Sequence, residues 1–430
     1  VSLTGRTALL ALLGLVPIAL FPGWGAFLGW AAVVLIAIGV DLLLAGSPRA
    51  LTVHREPVAA VRLGQPTQAG IVLSNAGKRR VRGLVRDGWQ PSAGATPSRQ
   101  PLDLPSGQRR RLVTDLVPIR RGDRRAEHLT VRSYGPLGLA ARQLSLPAPG
   151  SVRVLPPFAS RKHLPGKLAR LRELDGRTAL RVRGQGTEFD SLRDYVDGDD
   201  VRSIDWRASA RRQQVVVRTW RPERDRRVLL VLDTSRTSAA RVDDEPRLDA
   251  AMDAALLLAA LASRAGDRVD LLAMDRRVRA RVEGASRTDL LPRLVTAMAP
   301  LEADLVEADW RAIASTILNR LPQRALVILL TPLEAAAVEE GLLPVIQRLA
   351  HRHRVLVASV ADPQVARMAA GRGDAYAVYG AAAAERAGLD RAAITAELRQ
   401  LGVDVVDASP ADLPPQLADR YLSLKAAGLL

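Results

Sequence analysis

Apolar and polar positions change rhythm several times along this chain. Two apolar runs open it, over residues 7–21 and 26–45, split by the charge-free turn "PGWG". The second is long enough to cross a hydrocarbon core of about 30 Å at about 1.5 Å per residue. The first is shorter and contains Pro17, so it would span only in a thinned bilayer or with its neighbour's help. Together they predict a helical hairpin over residues 1–48. From 49 to 157 apolar residues alternate in short stretches, "LTVHRE", "AGIVLSN", "VRGLVRDG", "RRLVTDLVPI", "EHLTVRSY" and "SVRVLPP", with Gly, Pro and Asn between them. Such spacing predicts a small β-sandwich, with "ATPSRQPLDLPSGQ" as a polar excursion. Residues 158–227 begin with a short basic helix over 159–176. From 228 continuous apolar runs such as "VLLVLD", "ALVILLT" and "RVLVASV" alternate with helical patterns, including "RLDAAMDAALLLAALASRAG" and a helix over 382–401. That alternation predicts a doubly wound α/β domain over 228–430, with buried parallel strands.

Charge sharpens the membrane reading. The formal net charge is +17, and residues 51–150 carry 17 basic against 6 acidic side chains, while 231–430 carry 24 against 27. Arg6 precedes the apolar pair and Arg49, Arg55 and Arg62 follow it, so the positive-inside rule puts both ends in the cytoplasm. The basic front half then sits against anionic lipid. A cleaved signal peptide is the competing reading, but no small-x-small site follows and the second run would still anchor the chain. Asp41, four residues from the end of that run, is expected to reach the headgroups. "KRR" (78–80) and "RRR" (109–111) lack the interleaved aromatics of a single-strand platform, so nucleic acid is not the expected partner.

There is no Cys, which excludes disulfides, thiolate nucleophiles and Cys-based zinc sites. The five His residues are scattered, and His351 and His353 are too close together to make a good metal pair. "GQG" (184–186) is no nucleotide loop, because no Lys-Ser/Thr follows it. The densest chemistry lies in "DYVDGDDVRSIDW" (194–206), where Asp194, Asp197, Asp199, Asp200 and Asp205 fall within thirteen residues around Gly198. Their spacing excludes an EF-hand. A hydrolytic carboxylate pair is one reading. The other is a fixed loop in which Arg193, Arg202 and Arg207 neutralise the acids and Tyr195 and Trp206 plug it onto the body. In that loop Asp205 is expected to be buried, and Asp199 and Asp200 to face outward.

Residues 184–233, "GQGTEFDSLRDYVDGDDVRSIDWRASARRQQVVVRTWRPERDRRVLLVLD", resemble the signature of the bacterial "domain of unknown function 58" family. Glu188, Phe189, Arg193, Tyr195, Gly198, Asp199, Asp200, Arg202, Asp205, Trp206 and Arg211 stand at its positions and form the candidate recognition loop. "RRG…YGPLGL" (120–139) and "DLPPQLADRYLSLK" (412–425) extend the resemblance. It implies a von Willebrand factor type A-like domain over 228–430 and a MoxR-type AAA+ ATPase as partner, acting with an unidentified client protein. It also implies a D-x-S-x-S metal site at Asp233, Ser235 and Thr237. That site looks degenerate: the loop 300–310 has no hydroxyl residue, and Thr331-Pro332-Leu333 stands where the completing Asp belongs. Glu334 is the nearest carboxylate. Mg²⁺ is therefore not expected to occupy it, and no cofactor is assigned. The whole is read as a two-pass adaptor or scaffold of the inner (cytoplasmic) membrane with its soluble domains in the cytoplasm, and not as an enzyme. A metal-dependent hydrolase using the Asp194–Asp205 cluster and a membrane-tethered nucleic-acid binder are the alternatives.

Overall fold

The computed structural model describes residues 1–181, 188–221 and 226–430, and the chain divides into two compact units, Val1–Pro156 and Pro157–Leu430. The fold is mixed α/β: N-terminal helices, an antiparallel β-sandwich, then a largely parallel sheet with helices.

In the first unit, α1 (Gly5–Leu13), α2 (Leu15–Leu20) and α3 (Trp24–Leu44) hold the two apolar runs. Among the described residues one helix, within 24–50, is long and apolar enough to cross a membrane. The first run gives no matching second span. It divides at Gly14 into two short helices, the second holding Pro17. A Cβ at Gly14 would lie 2.2 Å from the Trp30 ring of α3, so only glycine allows this approach.

Asp41 corrects the expectation that it reaches the headgroups. Its side chain is fully buried. The carboxylate accepts N–H bonds from Leu137 (2.7 Å), Leu139 (2.7 Å) and Ala140 (2.9 Å). A buried carboxylate costs several kcal/mol, on the order of the effective ionic desolvation penalty, unless its lone pairs find donors. Three backbone donors supply them here. Gly135 makes room, since a Cβ there would lie 2.1 Å from Asp41 Oδ1. Thr4 and Thr7 donate hydroxyl bonds to the carbonyls of Gly138 and Leu139, so the "YGPLGL" loop is gripped by both α1 and α3.

The sandwich follows as β1 (Leu51–Arg55), β2 (Thr67–Asn75), β3 (Val81–Trp89), β4 (Gln100–Leu104), β5 (Arg109–Leu116), β6 (Gly122–Tyr134) and β7 (Ala140–Leu155). One sheet runs β7-β6-β3-β4 and the other β1-β2-β5, all antiparallel. Alternate residues point inward, so Ile71, Leu73 and Leu112 of one sheet meet Val85, Leu102, Leu129 and Val131 of the other. β4 lies inside the stretch read as a polar excursion. Its Leu102 and Leu104 alternate into the core while Pro101 and Asp103 disguise them.

The second unit begins with α4 (Leu164–Arg181), β8 (Glu188–Asp194), α5 (Trp206–Arg212) and β9 (Val216–Arg221). The α/β part follows: β10 (Arg227–Asp233), α6 (Arg247–Arg264), β11 (Arg268–Met274), β12 (Val278–Val282), α7 (Leu290–Met298), α8 (Trp310–Arg320) and β13 (Leu326–Leu330). It continues with α9 (Leu343–Arg352), β14 (Arg354–Val360), α10 (Pro363–Ala369), α11 (Ala375–Gln400), β15 (Asp404–Ala408) and α12 (Leu413–Ala426). The sheet order is β12-β11-β10-β13-β14-β15, parallel except for β12. Leu229, Val231, Val327 and Val355 turn one face toward Ile313 of α8, Ile346 of α9 and Leu398 of α11. α6 and α12 pack on the sheet and on each other. α6 is apolar on nearly every side, and Leu248–Ser263 is buried throughout, as such a helix requires. Chain order reverses between β10 and β13, the place where sheets of this kind open a crevice at their carboxyl ends.

Candidate functional site

The signature stretch, read as a loop, is built on a β-hairpin. β8 and β9 pair antiparallel with Leu192 opposite Arg218 and Asp194 opposite Val216. The intervening 195–215 is folded rather than open. The Tyr195 N–H donates to Val215 O (2.9 Å), the Asp205 N–H donates to Val216 O (3.0 Å), and Ile204 bridges Val217. Gly198 takes φ +105°, which favours glycine at the turn.

Asp199, Asp200 and Asp205 each have a distinct task, while Asp194 and Asp197 are exposed. Asp199 accepts from Arg193 (2.6 Å) and from the Val196 N–H (3.0 Å). The guanidinium first, and that N–H second, hold the Asp199 carboxyl below its ordinary value. Asp200 caps a single 3₁₀ turn by accepting from the Arg202 N–H (3.0 Å). Asp205 caps α5 by accepting from the Ala208 N–H (3.0 Å), and Arg218 donates to its other oxygen (2.8 Å). The cap first and the guanidinium second keep that carboxyl low as well. Ser209 completes the staple, donating to Asp205 O (2.8 Å) and accepting from the Val216 N–H (3.0 Å).

Several expectations change on this geometry. Of the three arginines named from sequence, Arg193 is joined to an acid by its side chain, whereas Arg202 uses only its backbone N–H. Arg218, on the returning strand, is the partner that sequence reasoning missed. Asp199 is folded back rather than presented, while Asp200 is exposed. Asp205 is partly rather than fully buried. Trp206 does not plug the loop onto the body. It stands 66% exposed, and Val196 and Val201 of the same stretch are exposed too. Tyr195 is half-buried, and Gly198, Arg202, Arg207 and Arg211 are exposed. Glu188 and Phe189 lie in β8, but their side chains, like "GQG" (184–186), fall outside the described residues.

The second candidate site sits where the sheet order reverses. Asp233 ends β10 and Thr331 follows β13. Asp233 accepts from the Ser235 N–H (2.8 Å), the Thr237 hydroxyl (3.2 Å) and the Thr331 hydroxyl (2.7 Å), while the Ser235 and Thr237 oxygens lie 3.1 Å apart. Burial pushes the Asp233 carboxyl above its ordinary value, despite these donors. Mg²⁺ seeks six hard oxygens and usually carboxylate charge. The other nearby acids already face cations. Glu334 pairs with Arg247, Asp304 with Arg279, and Asp275 accepts from Thr234 with Arg279 at 3.7 Å. Among the described residues no group of three or more His, Asp or Glu is placed to hold a metal. Asp233, Ser235 and Thr237 are brought together, but as a closed hydroxyl–carboxyl cluster that does not fit a divalent ion.

The arrangement is therefore an α/β domain carrying a stapled, solvent-facing hairpin. The family model described as "Protein of unknown function DUF58" matches residues 191–400. Over those residues the chain belongs to that family. No curated protein matches the sequence. Among solved structures, a PapD-like domain of human CEP192 is 14% identical, covering 25% of this chain and 89% of that one, with a TM-score of 0.19. A CARDB domain from Pyrococcus furiosus, solved with di-metal ions, is 15% identical over 26% of this chain and 89% of its own, with a TM-score of 0.18. A β-glucosidase from Listeria innocua is 10% identical over 24% of this chain and 16% of its own, with a TM-score of 0.15.

Proposed function

We propose that the protein is a membrane-anchored cytoplasmic adaptor that presents the 188–221 hairpin to a MoxR-type AAA+ ATPase during assembly or maturation of a client complex. The observation that carries this reading is the pairing of internal rigidity with outward apolar surface. Asp199 and Asp205 spend their charge inside the hairpin, whereas Trp206, Val196 and Val201 face solvent. Exposed Trp and Arg side chains are the residue types that anchor protein interfaces. Sheet order and the position of Asp233 support a von Willebrand factor type A-like domain whose metal site has closed. The apolar α3 supports the anchor, and α1 with α2 would form the second, shallower arm of a hairpin. The carboxylates' local bonds favour this reading over a hydrolase, since Asp199, Asp200 and Asp205 are each engaged in shaping the loop.

The test is affinity recovery of the full chain from native membranes, with the ATPase identified by mass spectrometry. Trp206→Ala should leave the melting temperature within about 1–2 °C, as for a surface change worth within about 0.5 kcal/mol. It should also remove most of the recovered ATPase. Undiminished recovery with Trp206→Ala would sink the proposal.

A further inference from the structure

β15 is the last strand of the sheet, and among the described residues no strand pairs with its outer edge. The Ala361 N–H donates to Ala408 O (2.8 Å), so Ala408 turns its carbonyl toward β14. Backbone groups alternate along a strand. Asp404 and Val406 therefore face β14 too, and Val405 and Asp407 aim both N–H and C=O at the open edge. That edge borders a cavity of about 430 Å³, walled by Thr395 and Arg399 of α11 and by Gln416, Arg420 and Ser423 of α12. The two helices cover the strand's faces and leave its backbone accessible between them.

Charge adds a second feature. The acids around the groove are already matched: Asp407 by Arg391 (2.5 Å), Asp419 by Lys167 (2.6 Å) and Arg170 (3.1 Å), and Asp404 by Arg354 (2.6 Å) and Arg420. Arg399 lines the cavity with no carboxylate partner among the described residues. A cation left over beside a row of free N–H and C=O groups suits an extended chain that brings its own acid. We propose that this groove binds an extended, acidic segment of a partner polypeptide, which adds a strand to β15 and places a carboxylate against Arg399. Strand addition takes its affinity from main-chain hydrogen bonds and its selectivity from alternate side chains. Short length and charged residues normally protect an edge from such pairing. Here Asp404 and Asp407 are neutralised in place, so they repel an incoming acidic strand less than their number suggests. This proposal does not depend on the 188–221 hairpin.

The experiment selects a displayed library of random octapeptides on the full chain in detergent, with parallel selection on Arg399→Glu and Val405→Pro. Arg399 is exposed, so its replacement leaves the fold intact. Val405→Pro removes one outward N–H, and its folding is checked by melting temperature. Enriched peptides should be rich in Asp or Glu, bind Arg399→Glu at least tenfold more weakly, and slow hydrogen exchange at the Val405 and Asp407 amides of the wild-type chain. The inference is overturned if no peptide distinguishes wild type from Arg399→Glu. It is equally overturned if binders leave exchange at those two amides unchanged.

Discussion

Asp267 should be the most costly carboxylate in the second unit to remove. It lies between α6 and β11, and its side chain is 1% exposed. Lys425 donates to Oδ1 (2.9 Å) and Tyr421 donates to Oδ2 (2.5 Å), both from α12. Lys425 also reaches Ala265 O (3.2 Å), so one ammonium and one carboxylate tie the closing helix to the end of α6. Asp267→Ala removes the counter-charge of a buried cation, and the hydroxyl of Tyr421 loses its carboxylate acceptor. Breaking a buried pair in this way costs about 3–5 kcal/mol. At about 2–4 °C per kcal/mol for a unit of this size, the melting transition should fall by on the order of 10 °C. Tyr421→Phe removes a hydrogen bond to a charged group but keeps the ion pair, and should cost about 1.5–3 kcal/mol. The decisive arm is the double variant Asp267→Leu with Lys425→Met. Apolar replacement of a whole buried pair is often neutral, so it should recover most of the single variant's loss. Differential scanning calorimetry of the full chain in detergent measures all three. A shift under about 2 °C for Asp267→Ala, or a double variant no better than the single, would refute the reasoning.

Asp233 should behave oppositely. Its carboxyl is raised in the folded chain, so its contribution is fully present below the unfolded value near 3.9 and is lost as pH rises through the folded value. Asp233→Asn should then hold or raise the melting temperature at pH 7 and lose that advantage on acidification. A clear fall at pH 7 would contradict it. Calorimetric titration of the full chain with Mg²⁺ or Mn²⁺ should give no saturable heat, and micromolar binding that vanishes in Asp233→Ala would reverse the reading of the site. His353 is buried with neither ring nitrogen bonded, and burial lowers its pKa. Stability should therefore fall as pH drops below the unfolded value of about 6.5. His353→Leu should flatten the melting curve's pH dependence between pH 7 and 5, and an unchanged slope would count against it.

Periodicity made most of the second unit legible. "VLLVLD" and "RVLVASV" are apolar at every position because both faces of β10 and β14 are covered, and that pattern survives without knowing the neighbours. The misses have local causes. β4 was hidden because Pro101 and Asp103 occupy the outward positions of a strand whose inward residues are ordinary leucines. β8 and β9 are hidden because an aspartate-rich stretch separates β8 from "VVVRTW", a β-branched run at the hairpin's return. α11 begins at Ala375, seven residues before its expected start, because Asp374 accepts from the Ala377 N–H (2.7 Å) and caps it.

Carboxylates mark the limit of what sequence spacing conveys. Asp41, Asp205 and Asp233 look alike as letters beside apolar residues, yet their surroundings assign different roles. Asp41 is satisfied by three N–H groups from a loop about a hundred positions away. Asp205 caps its own helix and meets Arg218 across a hairpin. Asp233 meets a hydroxyl, Thr331, that follows the neighbouring strand. In none of the three does the nearest charged residue in sequence decide the outcome. In each case a donor also arrives through chain topology: the "YGPLGL" loop for Asp41, Arg218 of β9 for Asp205 beside its own helix cap, and Thr331 after β13 for Asp233 beside Ser235. Charge counting picks out the acidic stretch as an unusual part of the sequence. The pairing of β8 with β9 shows that Asp199 and Asp205 bond within the hairpin, while Trp206, Val196 and Val201 stay exposed.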